Sequence, residues 1–201
     1  MRFLSATLLT LACLAPAVAW AANPYEIFRL GMSEAETNAV AEAHGGDIFA
    51  DGEREGEEPR SAGPFRIVFG DVPAGDQLAS GRFTFERDRL AHIQFNYFVW
   101  RYGMPPAVCD AVFERAAADI GEVYGLPNRI QAKESDGTRF KGRFALWESD
   151  QASVSLFLAD APPLSPSGSC DMLTADIFAG DQNEREALER KIIEEFGRGR
   201  Q

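Results

Sequence analysis

The chain carries two histidines, His44 and His92, as its supply of imidazole for proton transfer or metal binding. His44 stands in His44-Gly45-Gly46, where a helix is expected to end and a cationic ring is welcome against the carbonyl end of the dipole. His92 falls on the polar side of a strand pattern, and both read as surface or capping residues. Gly168-Ser169-Cys170 lacks the glycine frame that exposes a nucleophilic serine at a strand-to-helix elbow, so no serine-hydrolase pattern is present. The acids of residues 51–64 do not follow the spacing of a calcium loop, and no metal site or cofactor motif is expected. The 31 Asp and Glu residues are numerous enough to supply a carboxylate pair for glycoside cleavage, but nothing in their spacing sets two of them face to face. The chain therefore reads first as non-enzymatic, with a carboxylate-dependent hydrolase as the alternative.

Cysteine chemistry is more informative. The three cysteines are Cys13, Cys109 and Cys170. Residues 1–21 combine a basic start at Arg2, an apolar run from Phe3 to Leu14 and small residues at Ala17, Ala19 and Ala21, the pattern of a secretory signal peptide with cleavage after Ala19 or, preferably, Ala21. A lipoprotein of envelope assembly, anchored at Cys13, is a weaker variant, because Ala12 fits but the leucine expected three positions before the cysteine is missing. Removal of the signal leaves Cys109 and Cys170, which in an exported protein are expected to form one structural disulfide. No Cys-x-x-Cys spacing suggests a redox role. The expected location is periplasmic or secreted, with membrane attachment only if Cys13 is lipidated.

The formal charge of −11 becomes about −12 once Arg2 leaves with the signal, which opposes binding to nucleic acid and to anionic membranes. No segment beyond the signal approaches the roughly 20 apolar residues of a spanning helix.

The elements follow from periodicity. Ser33 and Glu36 have capping-box spacing and open a helix that runs to His44-Gly45. The stretch 51–64, rich in Glu, Gly and Pro, is expected to be a solvated loop. Residues 65–72, 82–86 and 90–98 read as an antiparallel meander, with Ala91, Ile93, Phe95 and Tyr97 on one face and His92, Gln94 and Asn96 on the other. Pro105 and Pro106 open a second helix in which Val108, Val112, Ala116, Ile120 and Val123 recur at helical spacing until Tyr124-Gly125. A polar loop (131–138) precedes strands at 139–148, 152–160 and 170–178. Residues 180–201 form an amphipathic helix with Leu188, Ile192, Ile193 and Phe196 on one face, expected to dock on the domain.

"RLGM" at 29–32 returns as "RYGM" at 101–104, and each opens the order helix, then three strands. The parallel extends to Arg82-Phe83 against Arg143-Phe144, and to Ala91, Ile93, Phe95 and Tyr97 against Ala152, Val154, Leu156 and Leu158. The expected fold class is α+β: two helix-plus-meander repeats, 22–100 and 101–179, forming helices packed on an antiparallel sheet, with an extra C-terminal helix at 180–201.

Gly31-Met32-Ser33 to Gly45, and Gly103-Met104-Pro105 to Leu126-Pro127, resemble the helix-opening motif of small envelope modules of the SmpA/OmlA type. In tandem the units resemble the beta-lactamase inhibitor protein family. The resemblance implies a helix layer on a sheet in an exported protein, and protein binding in preference to catalysis; no inhibitor loop maps residue by residue. The expected function is thus a periplasmic binding or interaction module with a protein partner in the cell envelope. If Ile93, Phe95 and Tyr97 face the core, Phe98, Trp100, Arg101 and Tyr102 fall at the strand end as a candidate interaction surface, since aromatics and arginine dominate binding hot spots.

Overall fold

Asn23 caps the first described helix: its side chain accepts from the Tyr25 N–H, and Pro24, which needs no donor in a first turn, opens the short helix α1 (Pro24–Ile27). The computed structural model describes residues 23–49, 60–74, 77–97, 106–133, 142–160 and 170–198. The capping box forms as the spacing predicts. Ser33 Oγ accepts from the Glu36 N–H and the Glu36 carboxylate accepts from the Ser33 N–H (2.7 Å), opening α2 (Glu34–Ala43). His44 is the C-cap, and Gly45 at φ +77° takes the left-handed turn beyond it. Just upstream, Gly31 at φ +87° folds RLGM back onto a strand, donating to Leu90 O (2.7 Å) while the Leu90 N–H donates to Met32 O (2.8 Å).

The strands are β1 (Asp47–Phe49), β2 (Arg60–Ala62), β3 (Phe65–Ala74), β4 (Gln77–Glu86) and β5 (Arg89–Tyr97), then β6 (Arg129–Lys133), β7 (Gly142–Glu148), β8 (Ala152–Asp160) and β9 (Cys170–Ala179) after helix α3 (Pro106–Tyr124). They form one nine-stranded sheet in the order β1-β3-β4-β5-β9-β8-β7-β6, with β2 paired to β3. Every pairing is antiparallel. Helix α4 (Gln182–Arg198) follows β9. The fold is α+β, with helices on an antiparallel sheet.

β1, β2 and β6 are strands where loops or no regular structure are expected from the sequence. All three are short and pair on one side only, so neither burial nor alternation marks them in the residues. Strand order counted outward from the β5–β9 pair is β4 and β8, then β3 and β7, then β1 and β6. The hairpins matched in sequence, 82–97 and 143–158, are therefore one strand out of step: Arg82 lies on β4 and Arg143 on β7. The second RxGM segment, 101–104, lies outside the described residues.

One face of the sheet holds the main core. Phe83, Phe85, Leu90, Ile93, Phe95, Val154, Leu156, Leu173 and Ile177 pack there beneath Tyr25, Phe28, Cys109, Phe113 and Ile120 of the helical layer. Tyr25 and Tyr97 join their hydroxyls at 2.5 Å across it. The buried stripe of α3 is Cys109, Phe113, Ala116 and Ile120, whereas Val108 and Val123 are 44% and 40% exposed. The stripe is rotated from the expected one because Cys109 is bonded to Cys170 at the start of β9, Cα atoms 5.8 Å apart, and Arg143 lies 4.2 Å over the Phe113 ring. In β5 a bulge corrects the alternation: Thr84 pairs with His92 but Phe85 with Leu90, so Ala91 is an extra residue. Leu90 and Ile93 both reach the main core, while Ala91 joins the opposite side.

On that opposite side α4 docks. Leu188 is buried with Phe65 and Phe178, and Ile192 and Phe196 pack beside them. Ile193 does not join this stripe and is 71% exposed.

The disulfide closes a 61-residue separation, for which chain entropy gives about 4 kcal/mol. Replacing both cysteines (Cys109→Ala with Cys170→Ala) is expected to lower Tm by about 8–16 °C while leaving a cooperative transition, measured by circular dichroism against the oxidised parent. An unchanged Tm would show that the cross-link does not constrain the unfolded chain.

Candidate functional site

The expected interaction surface, Phe98, Trp100, Arg101 and Tyr102, lies outside the described residues, as does Cys13. The described site arises instead from the polar positions of β4, β5, β9 and β8 on the α4 side. Antiparallel register lines them up in rows across the strands: Arg82, Gln94, Asp176 and Ser155 form one, and Thr84, His92, Phe178 and Ser153 the next. A third row holds Ser80, Asn96, Thr174 and Phe157.

Asp176 is the electrostatic centre. Its Oδ1 meets His92 Nε2 at 3.0 Å and accepts from Gln94 Nε2 at 2.9 Å. His92 is 5% exposed, not the surface residue expected from its polar strand position, because Phe178 stacks on it at 4.0 Å between ring centroids. Arg185 of α4 in turn lies 4.9 Å over the Phe178 ring. Burial pushes the His92 pKa down; the hydrogen bond and the charge of Asp176 oppose this without overcoming it. His44 is exposed at the α2 C-cap, as expected.

Between the sheet and the C-terminal half of α4 lies a groove of about 590 Å³. Ser80, Arg82, Gln94 and Asn96 form its polar floor, and Ile192, Ile193 and Phe196 its apolar helix wall. Arg60 also borders it, 5.8 Å over the Phe69 ring. The volume is that of a small-molecule site. Arg82 is half-buried, its Nε is shielded from solvent without a hydrogen-bond partner, and no carboxylate forms an ion pair with it among the described residues. Burial lowers its pKa, attraction to Asp176 opposes the shift, and repulsion from Arg60 adds to it; a guanidinium remains charged throughout.

Among the described residues Asp176 bonds His92 and Gln94, and no second carboxylate joins it. Among the same residues no cluster of three metal-ligating side chains occurs, and no helix is long and apolar enough to cross a membrane. In the sequence Arg82 stands out only through the Arg-Phe pair it shares with Arg143, and Ile193 only as one residue of the apolar stripe expected to dock; that both border one groove follows from the packing of α4 on the sheet.

His92 predicts a pH effect. Above its ordinary pKa of 6.5 the ring is neutral in both folded and unfolded chains. As pH falls below that value the unfolded chain takes up the proton first, so stability is lost until the lower folded pKa is reached. The charged groups acting on the ring are Asp176, Arg82 and Glu189. Thermal melts from pH 7.5 to 5 should show a steeper loss of Tm in the parent than in His92→Gln; equal slopes would place the acid sensitivity elsewhere.

Comparison with protein-family models, with curated proteins and with solved structures found no match, so these side chains and their geometry are what bear on function.

Proposed function

We propose that the protein is an exported, non-enzymatic binding module of the cell envelope, periplasmic or secreted, whose binding site is the groove between the sheet and α4. The observation that carries this reading is the groove itself: a polar floor, whose Arg82 has no ion pair among the described residues, faces an apolar helix wall. The buried disulfide and the apolar leader of residues 1–21 support export, since such bonds persist in oxidising compartments. The likeness to tandem envelope modules points the same way and favours binding over catalysis, with a protein of the envelope as a further partner through residues 98–102. Nucleic acid is disfavoured by the acidic charge.

Three measurements test this. The mature protein, screened by thermal shift against a mixed panel of neutral, cationic and anionic small molecules, should be stabilised by at least one of them, and Ser80→Trp, which fills the groove, should lose that response. A specific turnover abolished by Asp176→Asn, or by any other single substitution, would replace the reading with an enzyme. The intact mass of the exported protein should correspond to a chain starting at Ala22; a start at Cys13 with attached lipid would make it a membrane-anchored lipoprotein instead.

A further inference from the structure

We infer that the groove takes an organic anion with an apolar body, of the medium- or long-chain carboxylate class, its charged head on Arg82 and its body against Ile192, Ile193 and Phe196. The inference rests on the binding reading above and specifies its ligand. A half-buried guanidinium has lost part of its hydration and regains it only through acceptors. Arg82 has neither an ion pair nor a hydrogen bond among the described residues, and its Nε is closed to solvent. Asp176 attracts it through space, but the oxygen Oδ1 of that carboxylate is already shared by His92 and Gln94. Arg60, within electrostatic reach, repels the Arg82 charge. A ligand carboxylate supplies two acceptors in the plane a guanidinium presents, the strongest common pairing for it.

The other end of the groove asks for the opposite chemistry. Ile193 is 71% exposed beside the partly buried Ile192 and Phe196, so an apolar chain laid there removes hydrocarbon from water on both sides. An anion without a body leaves Ile193 wet, and an apolar molecule without a head leaves Arg82 unpaired. The acidic chain does not gather anions at long range, so recognition has to be local, at this arginine.

The test is calorimetric titration of the intact mature protein with decanoate, decanol and acetate. Decanoate should bind, decanol at least tenfold more weakly, and acetate without measurable heat. Arg82→Gln should weaken decanoate about tenfold or more, the scale of a hydrogen bond to a charged group, and leave decanol unchanged; Ile193→Ser should weaken both. Equal affinity for decanoate and decanol in the parent, a comparison that requires no variant to fold, would overturn the inference. So would decanoate affinity unaffected by Arg82→Gln. If decanoate fails while another compound's stabilisation is abolished by Ser80→Trp, the anion assignment is wrong and the binding reading stands. If Ser80→Trp alters the response to no compound, both fall.

Discussion

The antiparallel pairing of β5 with β9 is the constraint on which the other features depend. Six consecutive pairs, from His92–Phe178 to Tyr97–Leu173, join strands from the two halves of the chain into one sheet. The main core crosses this seam, because Ile93 and Phe95 on one strand and Ala175 and Ile177 on the other belong to the same buried cluster. The polar centre crosses it too. Asp176 reaches His92 and Gln94 only because the register sets β9 beside β5, so a one-residue slip between the two strands would put Asp176 on the opposite face from His92 and Gln94.

The two faces of the sheet are covered unequally, and this asymmetry produces the groove. Helices α1, α2 and α3 close the apolar face, with Tyr25, Phe28 and Phe113 capping the strand residues. Among the described residues a single helix, α4, crosses the other face. Its buried contacts are with Phe65 and Phe178, which leaves the polar rows of β4 and β5 roofed on one side by Ile192 and Phe196. A polar floor under a partial roof keeps Arg82 charged and poorly hydrated at once, the condition under which an ionic contact contributes most.

The sequence is legible where the physics is local. Ser33 and Glu36 close their box within one turn, and the apolar, β-branched segments at 65–72 and 152–160 need only period and composition to declare themselves. The long-range features were less legible. The Ala91 bulge depends on how β4 registers against β5, and it reverses which residues share a face. The rotation of α3 depends on the bond to Cys170, and the edge strands depend on neighbours far away in the chain. The repeated hairpin pattern misplaced β7 because period-2 alternation is the same for any strand with one buried face.

By itself the sequence determined the class of the protein: helices and antiparallel strands, with Cys109 and Cys170 suited to one bond. Composition and short-range periodicity suffice for that, since capping, alternation and hydrophobic content act within a few residues. Only the tertiary structure decided which polar residues meet. His92 became buried, Arg82 was left without an ion pair among the described residues and Ile193 was left exposed because strand register and the docking of α4 bring together positions up to about a hundred residues apart, and no local rule specifies what such positions will face.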